Sequence, residues 1–189
     1  MHQDNWAIKA KNQGYRSRAV YKLEELLDKT KFLKNSEIIL DVGSSPGGWS
    51  QFLSINYPKK NIYAIDILEM KFIPGVDFYN VGIENIDSIK AIRKLKGHFN
   101  LVISDLAPNL TGIRDVDEEN TYNLNNLTIQ LGHNYLNTHN GKIIIKTFQN
   151  TKLKTLRKDM SEYFKNINTF KPAASKTKSQ EIYLCGEKK

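Results

Sequence analysis

The chain has 189 residues, 40% hydrophobic and 25% charged, which suits one well-cored domain over residues 1–189 and excludes collagen-like and disordered classes. No apolar run approaches the roughly 20 residues of a membrane span, and a lone cysteine, Cys185, with four scattered histidines offers neither a disulfide nor metal-ligand spacing. Net charge is +8 and unevenly placed: residues 1–34 carry 8 basic and 4 acidic side chains, residues 35–141 carry 8 and 12, and residues 142–189 carry 12 and 4, so both ends are basic and the middle is not.

In chain order, residues 1–34 read as a basic extension that becomes an amphipathic helix over Ala19–Lys29, with Ala19, Leu23, Leu26 and Leu27 on one side. The segment could also be the remnant of an organellar transit peptide, although Glu24, Glu25 and Asp28 depart from that acid-poor composition. A first strand, "EIILDV" (37–42), leads through glycines to a helix over Gly48–Asn56. The strands "NIYAID" (61–66) and "VDFYNV" (76–81) follow, then a helix over Ile86–Leu95 and the strand "FNLVIS" (99–104). A helix over Asn120–Asn137, the strand "KIIIKTF" (142–148) and a helix over Lys152–Phe164 come next. "INTFKP" and "QEIYLC" (180–185) leave no room for a long helix between them, so they predict an antiparallel hairpin at one sheet edge.

These runs are continuously apolar without strict alternation, which suits strands buried on both faces. Strand alternating with helix predicts a doubly wound α/β fold with a mostly parallel sheet.

Three places carry chemistry. In "ILDVGSSPGGWSQFL" (39–53) a buried strand ends at Val42, Gly43 permits a tight turn and Gly47-Gly48 open a helix; ligands of such folds sit outside the strands' carboxyl ends. The spacing is not the dinucleotide G-x-G-x-x-G, and Pro46 removes an amide a pyrophosphate would use. Asp66, closing the second strand, stands where a carboxylate accepts ribose hydroxyls. A ribose without a pyrophosphate points to S-adenosylmethionine rather than a nicotinamide dinucleotide, with a purely structural turn as the alternative. Asp105, in "VISDLAPN" (102–109), shares this sheet edge. Lys146 follows three isoleucines and needs a partner if buried, so with Asp105 it makes a structural or a catalytic pair. Glu181 is a further charge within a strand.

Together "YRSRAVYKL", "LDVGSSPGGWSQ", "DILEM", "SDLAPNLTG", "IIIKTFQ" and "KPAASKTKSQEIYL" resemble the FtsJ/RrmJ-like family of S-adenosylmethionine-dependent RNA 2′-O-ribose methyltransferases, from about Gly14 to Cys185. The resemblance implies a seven-stranded Rossmann-like methyltransferase sheet with an antiparallel edge strand. It implies a catalytic tetrad of Lys22, Asp105, Lys146 and Glu181, and S-adenosylmethionine contacts at Gly47, Gly48, Trp49, Asp66 and Asp105. "PGGWSQ" with "SDLAPN" is similar to the enzymes acting on a uridine of large-subunit ribosomal RNA more than to those acting on transfer RNA. The "TGIRDVDEEN" and "KPAASKTKSQEIYL" segments are similar to the bacterial and mitochondrial type. The partner implied is ribosomal RNA within the large subunit, the enzyme a monomer in a reducing compartment, whether cytoplasm, nucleolus or mitochondrion.

Two departures stand out. The family's adenine-approaching Asp after the third strand is replaced by Ile83, so that Glu84 or a backbone group is expected to substitute. The stretch from Ile83 to Phe99 is also short for the family.

A ribose hydroxyl is a poor nucleophile, so the protein must remove its proton and place it in line with the activated methyl group. Lys146 is expected to take that proton; a lysine that stayed charged would instead steady the developing alkoxide. The 2′-hydroxyl commits such an enzyme to RNA. Lys9, Lys11, Arg16 and Arg18 at one end, and Lys152, Lys154, Lys176 and Lys178 at the other, could grip phosphates. Tyr15 and Tyr21 could stack on a base, or simply pack in the core. A nicotinamide oxidoreductase and a non-catalytic RNA-binding module are the rival readings.

Overall fold

A computed structural model describes residues 5–176 and 178–189. Seven strands form one sheet in the order β3-β2-β1-β4-β5-β7-β6, comprising β1 (Ile38–Val42), β2 (Asn61–Asp66), β3 (Val76–Asn80), β4 (Leu101–Ser104), β5 (Lys142–Phe148), β6 (Phe164–Phe170) and β7 (Glu181–Lys188). The first five pair in parallel. The hairpin expected at the edge is β6 with β7: β7 runs against both of its neighbours, and β6 covers it as the outermost strand.

Parallel strands need crossovers that pack on the sheet, and these helices give it two covered faces. Helices α2 (Ala19–Thr30) and α3 (Gly48–Asn56) lie over Ile39, Leu101, Ile103, Ile144, Tyr183 and Cys185. Helices α5 (Arg114–Tyr135) and α6 (Leu153–Tyr163) lie over Leu40, Val102, Ile143, Ile145 and Leu184. Alternate residues of each central strand enter opposite cores, which is why those strands read as unbroken apolar runs.

Three elements differ from their sequence reading. Residues 86–95 form no regular helix but a 3₁₀ turn, Ile83–Ser88, and the one-turn helix α4, Lys90–Arg93. The reason is in the spacing: Ile83, Ile86, Ile89 and Ile92 recur every three residues, the 3₁₀ period rather than the α period. Helix α5 starts at Arg114, six residues before the apolar pattern. Asp117 holds that first turn, accepting the Thr111 and Gly112 amides at 2.7 and 3.1 Å, and Asp115 and Asp117 suit the positive end of the helix dipole. Residues 5–12 of the basic extension form a helix, α1, whose Ala10 is buried and whose Trp6 packs against Tyr21.

Candidate functional site

The turn after β1 is built around two left-handed glycines, Gly43 (φ 75°) and Gly47 (φ 103°). A Cβ on Gly43 would collide with Leu106, and one on Gly48 with the Ser17 hydroxyl, so the loop after β4 and the residues before α2 both press on this turn. The Gly43 and Ser44 amides donate to the Ile65 carbonyl at 2.9 and 3.1 Å. Asp66, at the end of β2, accepts the Ser45 amide on Oδ2 and the Leu68 amide on Oδ1, both at 2.8 Å. Two loops are thereby locked to one carboxylate, each of whose oxygens keeps a lone pair for a ligand.

Arg16 does a related job. Its guanidinium donates to the carbonyls of Pro46, Lys71 and Phe72 at 2.8–3.0 Å, tying the glycine turn to the β2–β3 loop. This corrects its expected role as a phosphate grip. Lys9 lies over the Trp6 and Tyr21 rings and Lys152 pairs with Glu119, whereas Lys11, Lys154, Lys176 and Lys178 are exposed. Arg18 acts electrostatically on the Tyr183 hydroxyl. Tyr21 proves to be a core residue, 5% exposed, with its hydroxyl bonded to Gln13 at 2.6 Å, and Tyr15 packs edge-on against it.

A cleft of about 380 Å³ opens beside the turn, lined by Gly43, Asp66, Ile67, Ile83, Leu106 and Leu127 among others. Ile83 is buried as part of its wall, and Gly82 and Glu84 lie at the same place. Ile67, Ile83, Leu106 and Leu127 make apolar walls, and Asp66, Glu84, Asn109, Asn120 and Asn123 add polar groups, a mixture that fits a flat heterocycle joined to a ribose. Behind Gly43 a small cavity of about 30 Å³ is bounded by Ser17, Asp41, Gly48 and Asp105. Trp49 borders it too, but its indole is buried and donates to the Ala19 carbonyl at 2.8 Å, so it offers a ligand its backbone.

Asp41 is a buried carboxylate beside the turn that the sequence reading passed over. It is 1% exposed; Oδ2 accepts the Ser50 hydroxyl at 2.6 Å, while Oδ1 has no hydrogen-bond partner among the described residues. Burial pushes its carboxyl up to about 7; the Ser50 bond opposes that rise, and Asp105 and Asp66 add to it. Three carboxylates around one glycine turn suit a ligand bearing positive charge.

The four expected catalytic residues meet at the same edge. Lys146 on β5 is buried; its amine donates to the Asp105 carbonyl and lies 3.2 Å from Asp105 Oδ1. Lys22 on α2 pairs with Glu181 on β7 at 2.7 Å, and Ser175 donates to the same carboxylate at 2.7 Å. Burial alone would raise Glu181, but Lys22, Ser175 and then Lys146 outweigh it and hold its carboxyl below the usual range. Between the two pairs stands Tyr183, fully buried, which donates to Asp105 Oδ1 at 2.7 Å. Burial, reinforced by Asp105 and Glu181, keeps its phenol protonated far above neutrality. Its signal in the sequence was its place two residues after Glu181, on the same face of the strand.

The two basic ends therefore do meet: Lys22 reaches Glu181, and the Ala173 amide donates to Glu25 on α2 at 2.7 Å. A larger groove, about 870 Å³, lies among Trp6, Tyr21, Phe52 and Lys60; it holds no residue of this site.

The family model described as "FtsJ-like methyltransferase" matches residues 15–189. Two curated relatives, each named ribosomal RNA large subunit methyltransferase E, are 36% identical (Wigglesworthia glossinidia brevipalpis, 97% of this chain and 90% of the relative) and 38% identical (Coxiella burnetii, 98% and 91%). Among solved structures, a Plasmodium falciparum ribosomal RNA methyltransferase superposes with a TM-score of 0.78 at 33% identity, covering 92% of this chain and 98% of that one. Human methyltransferase-like protein 13 in complex with SAH, at 15% identity and a TM-score of 0.60 over 90% of this chain and 78% of that one, shares the fold. A glycine turn at the carboxyl edge of a seven-stranded sheet, two lysine–carboxylate pairs beside it and these matches lead to one conclusion: the chain belongs to the FtsJ-like methyltransferase family.

Proposed function

We propose that the protein transfers a methyl group from S-adenosylmethionine to the 2′-hydroxyl of a ribose, and that the acceptor is a uridine of large-subunit ribosomal RNA. The observation that carries the reaction is the juxtaposition of the Lys146–Asp105 and Lys22–Glu181 pairs with the cavity under Gly43. The names of the relatives support the substrate.

The residues present fit the donor. Asp41 Oδ1 is a buried acceptor without a partner among the described residues, the group a donor's ammonium would satisfy. Asp66 would accept the ribose hydroxyls, and Ile83 and Leu106 would flank the adenine in the cleft. Gly48 and Trp49, at the open start of α3, border the same cavity, and their amides would meet the donor's carboxylate. When bound, the donor supplies an activated methyl group on a sulfonium.

The rest falls to side chains of this chain. Lys146, once its own ammonium proton has passed to solvent, takes the proton of the ribose hydroxyl, and its hydrogen bond to the Asp105 carbonyl aims the amine along the sheet edge. Tyr183 donates to Asp105 Oδ1, the same oxygen that Lys146 approaches, and so fixes the carboxylate. Glu181, kept ionised by Lys22 and Ser175, is the acceptor available to orient the ribose.

Asp41 makes the binding step sensitive to pH. Its folded carboxyl is raised to about 7, so apo protein loses stability as pH climbs from about 4 toward 7 and the buried group ionises. A cationic donor favours the ionised form. Donor affinity is therefore expected to rise through pH 6–8, and Asp41→Asn to bind more weakly at pH 8 with a flattened profile. A wild-type profile already flat in calorimetric titrations would sink this account.

The function itself is tested by transferring labelled methyl from S-adenosylmethionine to purified large ribosomal subunits lacking the modification, with free ribosomal RNA and transfer RNA alongside. Label at a uridine 2′-O of the large-subunit RNA is expected. Label confined to transfer RNA would overturn the substrate and keep the chemistry, and no label with intact donor binding would overturn both.

A further inference from the structure

A second cleft, of about 420 Å³, lies among Leu110, the first turns of α5, the end of β5 at Phe148 and Asn150, and Gln180 just before β7. We propose that it is the pocket for the base of the target nucleotide, with Phe148 as its stacking platform. This deepens the reading above and rests on the ribose 2′-hydroxyl being the acceptor.

Position is the first argument. Lys146 lies opposite Tyr183, and Phe148 opposite Glu181, so Phe148 ends the strand that carries Lys146, at the sheet edge where Leu110, α5 and Gln180 line the cleft with it. Phe148 is two residues after Lys146, about 7 Å further along β5, within the span of one nucleotide. A ribose held between Lys146 and Glu181 therefore carries its base to Phe148.

The chemistry of the walls is the second. Phe148 is half-buried and packs in neither of the two hydrophobic cores, and Leu110 beside it is 73% exposed. An aromatic ring left beside a catalytic pair in this way is a surface made for another ring.

Asp117 and Glu118 of α5 also line the cleft. Backbone amides of Thr111 and Gly112 hold the Asp117 carboxyl below the usual range, and the Thr151 hydroxyl and Arg114 do the same for Glu118. Arg114, which also lines the cleft, is paired with Glu118 at 2.8 Å, so the Asp117 carboxylate is left to repel a phosphate and the cleft suits a neutral planar group. Asn150, whose Oδ1 accepts the Lys152 amide at 3.1 Å, and Gln180, whose carbonyl accepts the Gln149 amide at 2.8 Å, bring two side-chain amides to the rim. Amides of this kind donate to and accept from the edge of a pyrimidine.

The test is steady-state methylation of unmodified large ribosomal subunits by wild type and by Phe148→Ala, Phe148→Leu and Phe148→Tyr, with donor affinity and thermal midpoint measured for each. Loss of one stacked base predicts a fall of about 10- to 100-fold in kcat/KM for Phe148→Ala and Phe148→Leu, donor affinity unchanged, and near wild-type turnover for Phe148→Tyr. Full activity of Phe148→Ala, or rescue by Phe148→Leu as well as by Phe148→Tyr, would show that the ring only packs and would overturn the pocket. If Phe148→Ala fails to fold, the Leu and Tyr variants decide alone. Wild-type labelling at a 2′-O position keeps the acceptor reading intact when the pocket fails, whereas its absence defeats that reading directly.

Discussion

Lys146→Ala is expected to lower methyl transfer about 10³-fold, within the range that a positioned general base contributes, with donor affinity nearly unchanged. The amine is buried at the end of β5, bonded to the Asp105 carbonyl and 3.2 Å from Asp105 Oδ1. The proposed donor contacts lie around Asp41, Asp66 and the start of α3, so truncation at Lys146 removes the proton acceptor and leaves the donor's partners in place. Lys146→Arg is expected to stay inactive, because a guanidinium does not give up its proton and cannot accept another. Single-turnover assays at saturating donor separate chemistry from binding. Turnover retained by the alanine variant would remove Lys146 from the reaction, and turnover retained by the arginine variant alone would make it a charged stabiliser of the alkoxide.

Lys22→Met should carry the largest cost in stability, about 3–5 kcal/mol at neutral pH, the usual penalty of stranding one partner of a buried ion pair. The side chains of Lys22 and Glu181 are 8% and 13% exposed, so Glu181 would keep its burial and lose its nearest cation. In wild type its carboxyl is held below the ordinary range. The stability this contributes is present above the unfolded value of about 4.3 and is lost as pH falls through the folded value. In the variant the carboxyl is pushed the other way, so acid neutralises the stranded group. The gap between wild type and variant in urea denaturation is therefore expected to be wide at pH 7.5 and to narrow toward pH 4. An equal gap at both would mean that Lys22 acts through packing alone. Lys22→Met combined with Glu181→Leu should recover most of the stability and none of the activity, since an apolar pair can replace a buried ion pair in the fold but cannot orient a ribose.

Much of the site was legible in the sequence because its parts are local. A glycine turn follows a strand end within a few residues, and a carboxylate or lysine closing an apolar run announces a charge at a sheet edge. Lys22, Asp105, Lys146 and Glu181 do converge in two pairs. The residues that were missed act across the fold. Tyr183 reaches Asp105 only because β7 pairs with β5 in a register that sets it opposite Lys146. Arg16 resembled one more phosphate contact until its guanidinium was seen among three carbonyls from two loops. Asp41 looked like an ordinary strand residue, and its partnerless oxygen follows from the packing around it.

What the sequence by itself determined is the set of elements and their class. Hydrophobic periodicity is a property of neighbouring residues, so continuous apolar runs marked strands covered on both faces, and even the three-residue spacing of Ile83, Ile86, Ile89 and Ile92 encoded the 3₁₀ turn that replaced an expected helix. What only the tertiary structure decided is which of the charged and aromatic side chains are committed to the fold and which stand ready for a ligand. Tyr21 went to the core, Arg16 to a loop clamp, and Phe148 to the rim of a cleft. That division depends on strand register and loop contacts between residues as far apart as Lys22 and Glu181, and no pattern confined to one segment carries that information.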